Sequence, residues 1–564
     1  MSLRNKGRLA AAVIATMICI ACGQIYRPVV IPINNTPPSP GDFHAVFSLN
    51  TNALYGLDTN PANPPVPPLV PTLVYGPGSG MQIDVGGDTD IGIASLVDGT
   101  VSGANPTHGI SLPNFSRVFV ANAGGAIANA ADAISSFVPA TQSTTQSGIG
   151  AVSVVSYPNF IPNPAPQAPP YFCPYLPDFV AASQNSTVYV ANYGVENAPS
   201  VCNPNGAPPT STDSISVVNA ANNVVSQIVY LPAGSHPVAM AQVQTPNGNK
   251  LYVANQGSST VSSFNTVDMS LNEANVAGFT GTAPVWIVAR GDGQLVYVLS
   301  QVDGQVWTIN ATNDTVISNV SVGAGANYEL YDPNLNRLYV TNPTTSTVYI
   351  FSVAGNAPSL LNKIVVQMPS GVTCPNCSNL FPMSVAALAD GTRAYFASYQ
   401  LVPTAAPGCT DPVPGVLTSA PTCFVQAWIT VMDALSTTVT TTISAFPSGT
   451  PPVPEVANCL AGDSSGLYNP GLVLVPNATP GPVYRFATRF RVSAVAATDS
   501  SRVYVSVCDA GSVAIVNTTD SNLNNPGDNI PADTLLLDLQ TPFGLGTTGN
   551  ALPQQNPIFM LTGR

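Results

Sequence analysis

The stretch His236–Phe264, HPVAMAQVQTPNGNKLYVANQGSSTVSSF, decides how the rest of the chain reads. An apolar run leads into a Pro246-Asn247-Gly248-Asn249 turn, then the strand text KLYVAN, a Gly257-Ser258-Ser259 turn and a further strand. Pro, Asn and Gly supply the backbone angles of tight turns, whereas Val, Tyr and Phe suit a pleated, packed surface. The phrase recurs as RVFVAN (Arg117–Asn122), TVYVAN (Thr187–Asn192), LVYVLS (Leu295–Ser300), RLYVTN (Arg337–Asn342), RAYFAS (Arg393–Ser398) and RVYVSV (Arg502–Val507). Each copy follows an apolar strand and a turn such as RGDGQ, DPNLN, ADGT or TDSS. Third-strand text such as SISVVN, QVWTIN, TVYIFS or SVAIVN comes next, and a poorer fourth strand such as TVISNVSV closes the unit.

Units of four antiparallel strands that cannot bury both faces alone predict an all-β fold, a single β-propeller of four-stranded blades. Blades stack face to face, so the middle strands read as near-continuous apolar text rather than strict alternation. The repeated YVAN and YVTN wording after DG or NG turns resembles the YVTN-type β-propeller repeat family, from about Asp42 to the C-terminus. That resemblance implies the fold and leaves the function open. Seven complete units are visible. C-terminal TPFGLG and NPIFMLTG read as first and second strands, and N-terminal AVFSLNTNALYGLD and PTLVYGP as third and fourth strands. Joining them gives eight blades, with the two chain ends sharing one blade and removing both open sheet edges. Seven blades is the alternative.

Arg4, Lys6 and Arg8 precede the apolar run Leu9–Ala21, a positive n-region and a core too short to span a bilayer, so residues 1–21 read as an export signal. Ile20-Ala21-Cys22 resembles the bacterial lipoprotein box, which implies lipidation at Cys22. The alternative is ordinary secretory cleavage after Ala21. Gly23 in the next position resembles outer-membrane lipoproteins, facing the periplasm or the cell surface. Residues 22–42 are rich in proline and read as a semi-rigid tether, leaving residues 43–564 as the propeller domain. Contact with a membrane is expected through the lipid anchor only. Loss of the signal would take the net charge from −13 to −16, which argues against nucleic acid as a partner.

Strand parity predicts where recognition lies. Hairpins reverse the chain, so second-to-third loops and inter-blade links share one pole of the ring, and the other turns share the opposite pole. The long insertions Pro158–Pro177, Tyr193–Thr212, Pro369–Phe381, Tyr399–Phe424 and Pro447–Phe490 all fall on one pole. Thr518–Asp533, and Asn60–Pro68 as read here, are long loops on the plain pole. Eight cysteines remain in the exported chain, an even count that implies disulfides. Cys173–Cys202, Cys374–Cys377, Cys409–Cys423 and Cys459–Cys508 are the expected pairs, because each joins the same or adjacent loops of the ornamented pole.

For chemistry, His108 and His236 open the first strands of their units and Asp178 holds the matching position between them. First strands line the central channel, so these three are candidate metal ligands or an acid–base set. The competing reading is that HP is repeat punctuation and the imidazoles satisfy backbone groups. Cys374-Pro-Asn-Cys377 lacks a thioredoxin-like context and reads as a structural disulfide. DVGGDTDIG (Asp84–Gly92) and DSNLNNPGDN (Asp520–Asn529) have a calcium-like mix of residues but turn-like spacing. No serine elbow, phosphate loop or paired catalytic carboxylates appear, and no cofactor is implied. Among the prolines of the ornamented loops stand Tyr171, Phe172, Tyr175, Tyr193, Tyr399, Phe424 and Tyr468, which are either interface anchors or loop packing. The expected function is a lipid-anchored binding scaffold that recognises a protein or glycan at the cell envelope. The alternative is a lactonase-like hydrolase acting at the channel mouth.

Overall fold

The computed structural model describes residues 43–51, 78–96, 106–123, 133–141, 153–155, 176–183, 186–194, 211–245, 248–374, 376–403, 423–456, 459, 472–475, 483–486, 489–520, 530–542 and 555–563. Its described residues form eight antiparallel blades of four strands, one of them with a short fifth strand, Val453–Pro454, and one separate hairpin, Leu472–Val475 with Val483–Phe486. Taken in order as blades 1 to 8, the innermost strands are Asn556–Thr562, Pro106–Ser111, Pro177–Ser183, Pro237–Thr245, Pro284–Ala289, Tyr328–Asp332, Phe381–Ala387 and Val492–Ala496. Each touches the innermost strand of the next blade, and the last touches the first. The molecule is an eight-bladed β-propeller.

Closure differs in one respect from the sequence reading. Among the described residues Asn556–Thr562 is the one C-terminal strand of blade 1 and lies innermost, followed outward by Ala45–Thr51, Ser79–Asp84 and Thr89–Ser95. The chain ends therefore share the blade one to three rather than two to two. Ala45–Thr51 pairs on both edges, with Asn556–Thr562 and with Ser79–Asp84, so it takes the second-strand place rather than the third. As a result Thr51 and Ser79, which flank the connection containing Asn60–Pro68, are the adjoining ends of the second and third strands; Asn60–Pro68 itself lies outside the described residues. Asp84–Gly92 spans the turn between the third and fourth strands of that blade, residues 85–88, and the strand residues on either side.

The second strands are the buried girders. Val118–Asn122 and Leu295–Ser300 are buried along their whole length, because a sheet covered on both faces has no solvent side. Their recurring tyrosines Tyr189, Tyr252, Tyr297, Tyr339, Tyr395 and Tyr504 are among the largest fully buried side chains. Each phenol needs a partner, and three blades supply it in the same way. Tyr252 donates to Asp314, Tyr395 to Asp533 at 2.7 Å and Tyr504 to Asp88 at 3.2 Å, each aspartate standing in the turn before the next blade's fourth strand. The cation two residues earlier grips the same aspartate, with Lys250–Asp314 at 2.8 Å, Arg393–Asp533 at 3.1 Å and Arg502–Asp88 at 3.0 Å. All three aspartates have positive φ, 55°, 59° and 49°, which Asp tolerates better than most residues. The motif [K/R]-x-Tyr is thus an inter-blade latch on the plain pole.

Asparagines that end the second strands are buried cross-links to the third. Asn122 donates to Ser135 at 3.0 Å, Asn192 to Ser216 at 2.8 Å and Asn255 to Ser262 at 2.8 Å.

Candidate functional site

Innermost strands run inward from the ornamented pole, so their first residues form the channel mouth there. Five blades pair a Pro near the strand start with the last residue of the second-strand phrase and then skip one residue: Pro106/His108, Pro177/Phe179, Pro237/Ala239, Pro284/Trp286 and Pro382/Ser384. In blade 1, Pro557 and Phe559 flank the same shift. Such a bulge re-aims side chains. At the equivalent register the eight blades carry Phe559, His108, Phe179, Ala239, Trp286, Tyr328, Ser384 and Ser493.

The large members of this ring meet across the axis. His108 stacks on Phe179 at 3.9 Å between ring centroids and lies 4.5 Å from Phe559 and 6.1 Å from Trp286. Trp286 lies 4.9 Å from Tyr328. Where blades 4, 7 and 8 offer only Ala239, Ser384 and Ser493, the link entering blade 8 contributes Arg489 and Phe490. Phe490 packs on Trp286, Tyr328 and Phe559 at 5.5–5.7 Å. The Arg489 guanidinium lies 4.9 Å from the Trp286 ring, donates to Asp178 at 3.3 Å and donates to the Val238 carbonyl at 2.9 Å. These residues form an aromatic plug that fills the mouth; Trp286 is 0% and His108 2% exposed.

The three candidate ligands have separate roles within this frame. An innermost strand is a sheet edge whose inward N–H groups need acceptors. His108 Nδ1 accepts from Val180 N–H at 3.3 Å, just as Ser384 Oγ accepts from Ala494 N–H at 2.8 Å and Ser493 Oγ from Met560 N–H at 3.2 Å. Burial, and then Arg489, push the His108 pKa well down, so its ring is neutral. Asp178 is the counter-ion of Arg489. His236 stands at the rim, stacked on Tyr193 at 4.3 Å, with Nδ1 2.8 Å from the Tyr193 carbonyl and 3.3 Å from Asp213.

An imidazole backed by a buried carboxylate resembles half of a catalytic triad, but the surrounding backbone repeats elsewhere without it. His236 has φ 46° immediately before Pro237, and Leu176 at 49° before Pro177 and Ala283 at 52° before Pro284 do the same. Asp213 accepts the His236 N–H at 3.3 Å, and Ser259 accepts the Ala283 N–H at 3.1 Å in the next blade. The strained corner is a joint of the repeat. Among the described residues no group of three His, Cys, Asp or Glu is placed to hold a metal ion.

Of the aromatics singled out in the loops, Tyr171, Phe172, Tyr175 and Tyr468 lie outside the described residues. Tyr193 is half-buried under His236. Tyr399 is a packed residue rather than an exposed anchor: it is 8% exposed, 4.9 Å from Phe381 and 5.1 Å from the Arg491 guanidinium. Phe424, half-buried, pairs with Pro454 of an added strand, Val453–Pro454. Arg491 itself is held by Asp509 at 2.6 and 2.8 Å and by Glu455 at 2.8 Å. The disulfides Cys374–Cys377 and Cys459–Cys508 are formed as expected. Cys423 is also disulfide-bonded, while Cys409, Cys173 and Cys202 lie outside the described residues. The described cysteines all belong to inter-blade links or to second-to-third connections, and hence to the plugged pole.

Sequence reasoning missed the plug. Its signal was present as a Pro two residues ahead of His108, Phe179, Trp286 and Phe559, but the ring position changes identity from blade to blade. Only the register shows that these residues are equivalent.

No protein-family model matches the chain, and no relative was found among curated proteins. Solved structures similar to it include the periplasmic gluconolactonase of Pseudomonas aeruginosa, at 14% identity over 71% of this chain and 95% of that one, with a TM-score of 0.41. A protein from Lactobacillus plantarum matches at 15% identity over 71% and 96%, TM-score 0.40. Hydrazine synthase of Kuenenia stuttgartiensis matches at 15% over 63% and 84%, TM-score 0.36. At these identities and scores the likenesses say nothing about a site or an activity.

Proposed function

We propose that this protein is an exported, lipid-anchored binding scaffold whose disulfide-braced pole recognises a protein or glycan at the cell envelope. One observation carries the reading: the pole that gathers the long connections and the described disulfides is also the pole where the axis is filled. Aromatic rings and an Arg489–Asp178 pair occupy the mouth of the axis among the described residues. Nδ1 of His108 and Nδ1 of His236, the imidazoles a hydrolase would draw on, are engaged with backbone groups. Recognition then falls to the loops, which a rigid ring presents without ordering cost to itself.

The test compares partner capture by wild type, by a variant lacking residues 404–422 with Cys423→Ser, and by the plain-pole variant Lys250→Gln. Partners should be lost in the loop variant and kept in the plain-pole variant, with the β-sheet spectrum unchanged in both. Retention of the same partners by the loop variant would overturn the assignment. Anchoring is tested by radiolabelled palmitate, which should enter wild type and not Cys22→Ala.

A further inference from the structure

Two hydrogen-bond donors inside the plug are left without an acceptor among the described residues. His108 Nδ1 accepts from Val180 N–H, and a neutral imidazole carries one proton, so that proton sits on Nε2. Nε2–H is thus a donor, buried, and without a hydrogen-bond partner among the described residues. The Trp286 indole N–H can only donate; it too is buried and without a partner among the described residues. Their rings are 6.1 Å apart and nearly perpendicular, at 68°. The rings around them are Phe179, Phe490 and Phe559, which have no acceptor atom, and Tyr328, whose hydroxyl could accept but bonds neither N–H; the Arg489 guanidinium beside them only donates. Asp178, the nearby carboxylate, is engaged by Arg489.

A buried N–H left unpaired costs about 1–3 kcal/mol. Two such groups on neighbouring rings are therefore a standing penalty unless something brings an acceptor oxygen to them. We propose that the axial plug is a binding site for a small guest that offers an acceptor oxygen to His108 Nε2–H and Trp286 Nε1–H. The guest is a single water or a small carboxylate; the shared chemistry is an oxygen lone pair in a site walled by aromatic rings. Arg489 biases the site toward the carboxylate, because a guanidinium beside it stabilises negative charge in a dry setting.

The measurement is the indole N–H resonance of Trp286 in the full chain labelled with ¹⁵N-tryptophan, assigned by its loss in Trp286→Phe and checked against Trp307→Phe and Trp428→Phe. Formate is the probe. A deshielded Trp286 proton that shifts on formate addition identifies a carboxylate guest, and His108→Phe should then weaken the formate response about tenfold, the factor that corresponds to roughly 1.4 kcal/mol for one lost donor. A deshielded proton with a cross-relaxation peak to water, indifferent to formate, identifies bound water. A shielded proton with neither response means the N–H points at a ring face, and the proposal falls.

Discussion

Glu329 stands on the innermost strand of blade 6 with no exposed surface, and burial raises its pKa well above the carboxylate range. Val288 N–H lowers it slightly, but neither carboxyl oxygen makes a hydrogen bond of normal geometry among the described residues. A raised carboxyl pKa means the folded chain holds its proton more tightly than the unfolded chain. Its stabilising contribution is complete below the unfolded value of about pH 4.3 and is lost as pH rises through the folded value. Glu329→Gln should match wild type near pH 4 and exceed it in stability at pH 8, by up to about 1.4 kcal/mol for each pH unit in between. Urea titrations across that range check this; a difference that stays flat with pH would show that Glu329 is ionised and satisfied. At this scale the sequence misleads in an instructive way. His108 and His236 stand out as chemistry because histidine is rare here, yet Ser384 does the first one's work and Ala283 occupies the second one's corner.

Elements were legible to the extent that burial is uniform. The second strands announced themselves because both faces are covered, which forces the same short apolar phrase into seven blades. Fourth strands are half solvent-facing, as in Thr315–Ser321 and Ser359–Val365, and their text is correspondingly weak. Blade 1 was mis-split because Asn556–Thr562 is as buried as any second strand, so its composition did not betray its place. The latch aspartates were invisible for another reason: Asp314 lies 62 residues from Tyr252 and looks like ordinary turn chemistry. In a double-mutant cycle, Asp314→Ala and Tyr252→Phe should each destabilise by about 1–3 kcal/mol and couple by about 1 kcal/mol or more. Strict additivity in guanidinium melts would mean that the two side chains touch without stabilising one another.

Across the whole molecule, buried phenols set an alkaline limit. Burial, followed by the charges of Asp178 and Asp213, pushes Tyr193 up to about 12. Burial likewise raises Tyr252, Tyr297, Tyr328, Tyr339, Tyr395 and Tyr504. Each group resists losing its proton while folded, so stability is complete below about pH 10 and declines above it. Tyrosinate absorbance should therefore separate into an exposed class titrating near pH 10 and a buried class that ionises only as the β-sheet circular dichroism collapses. A single class near pH 10 with intact dichroism would show that the blades open readily.

The one-to-three seam in blade 1 also bears on biogenesis. Ala45–Thr51, Ser79–Asp84 and Thr89–Ser95 are made well before the strand that must sit inside them, Asn556–Thr562. Until that strand has been made, the nascent polypeptide is an open arc with an unclaimed inner edge, and such edges invite pairing between chains. The protein thus has a built-in delay: the ring becomes a circle only when the strand Asn556–Thr562 has been made and reaches the inner edge of Ala45–Thr51.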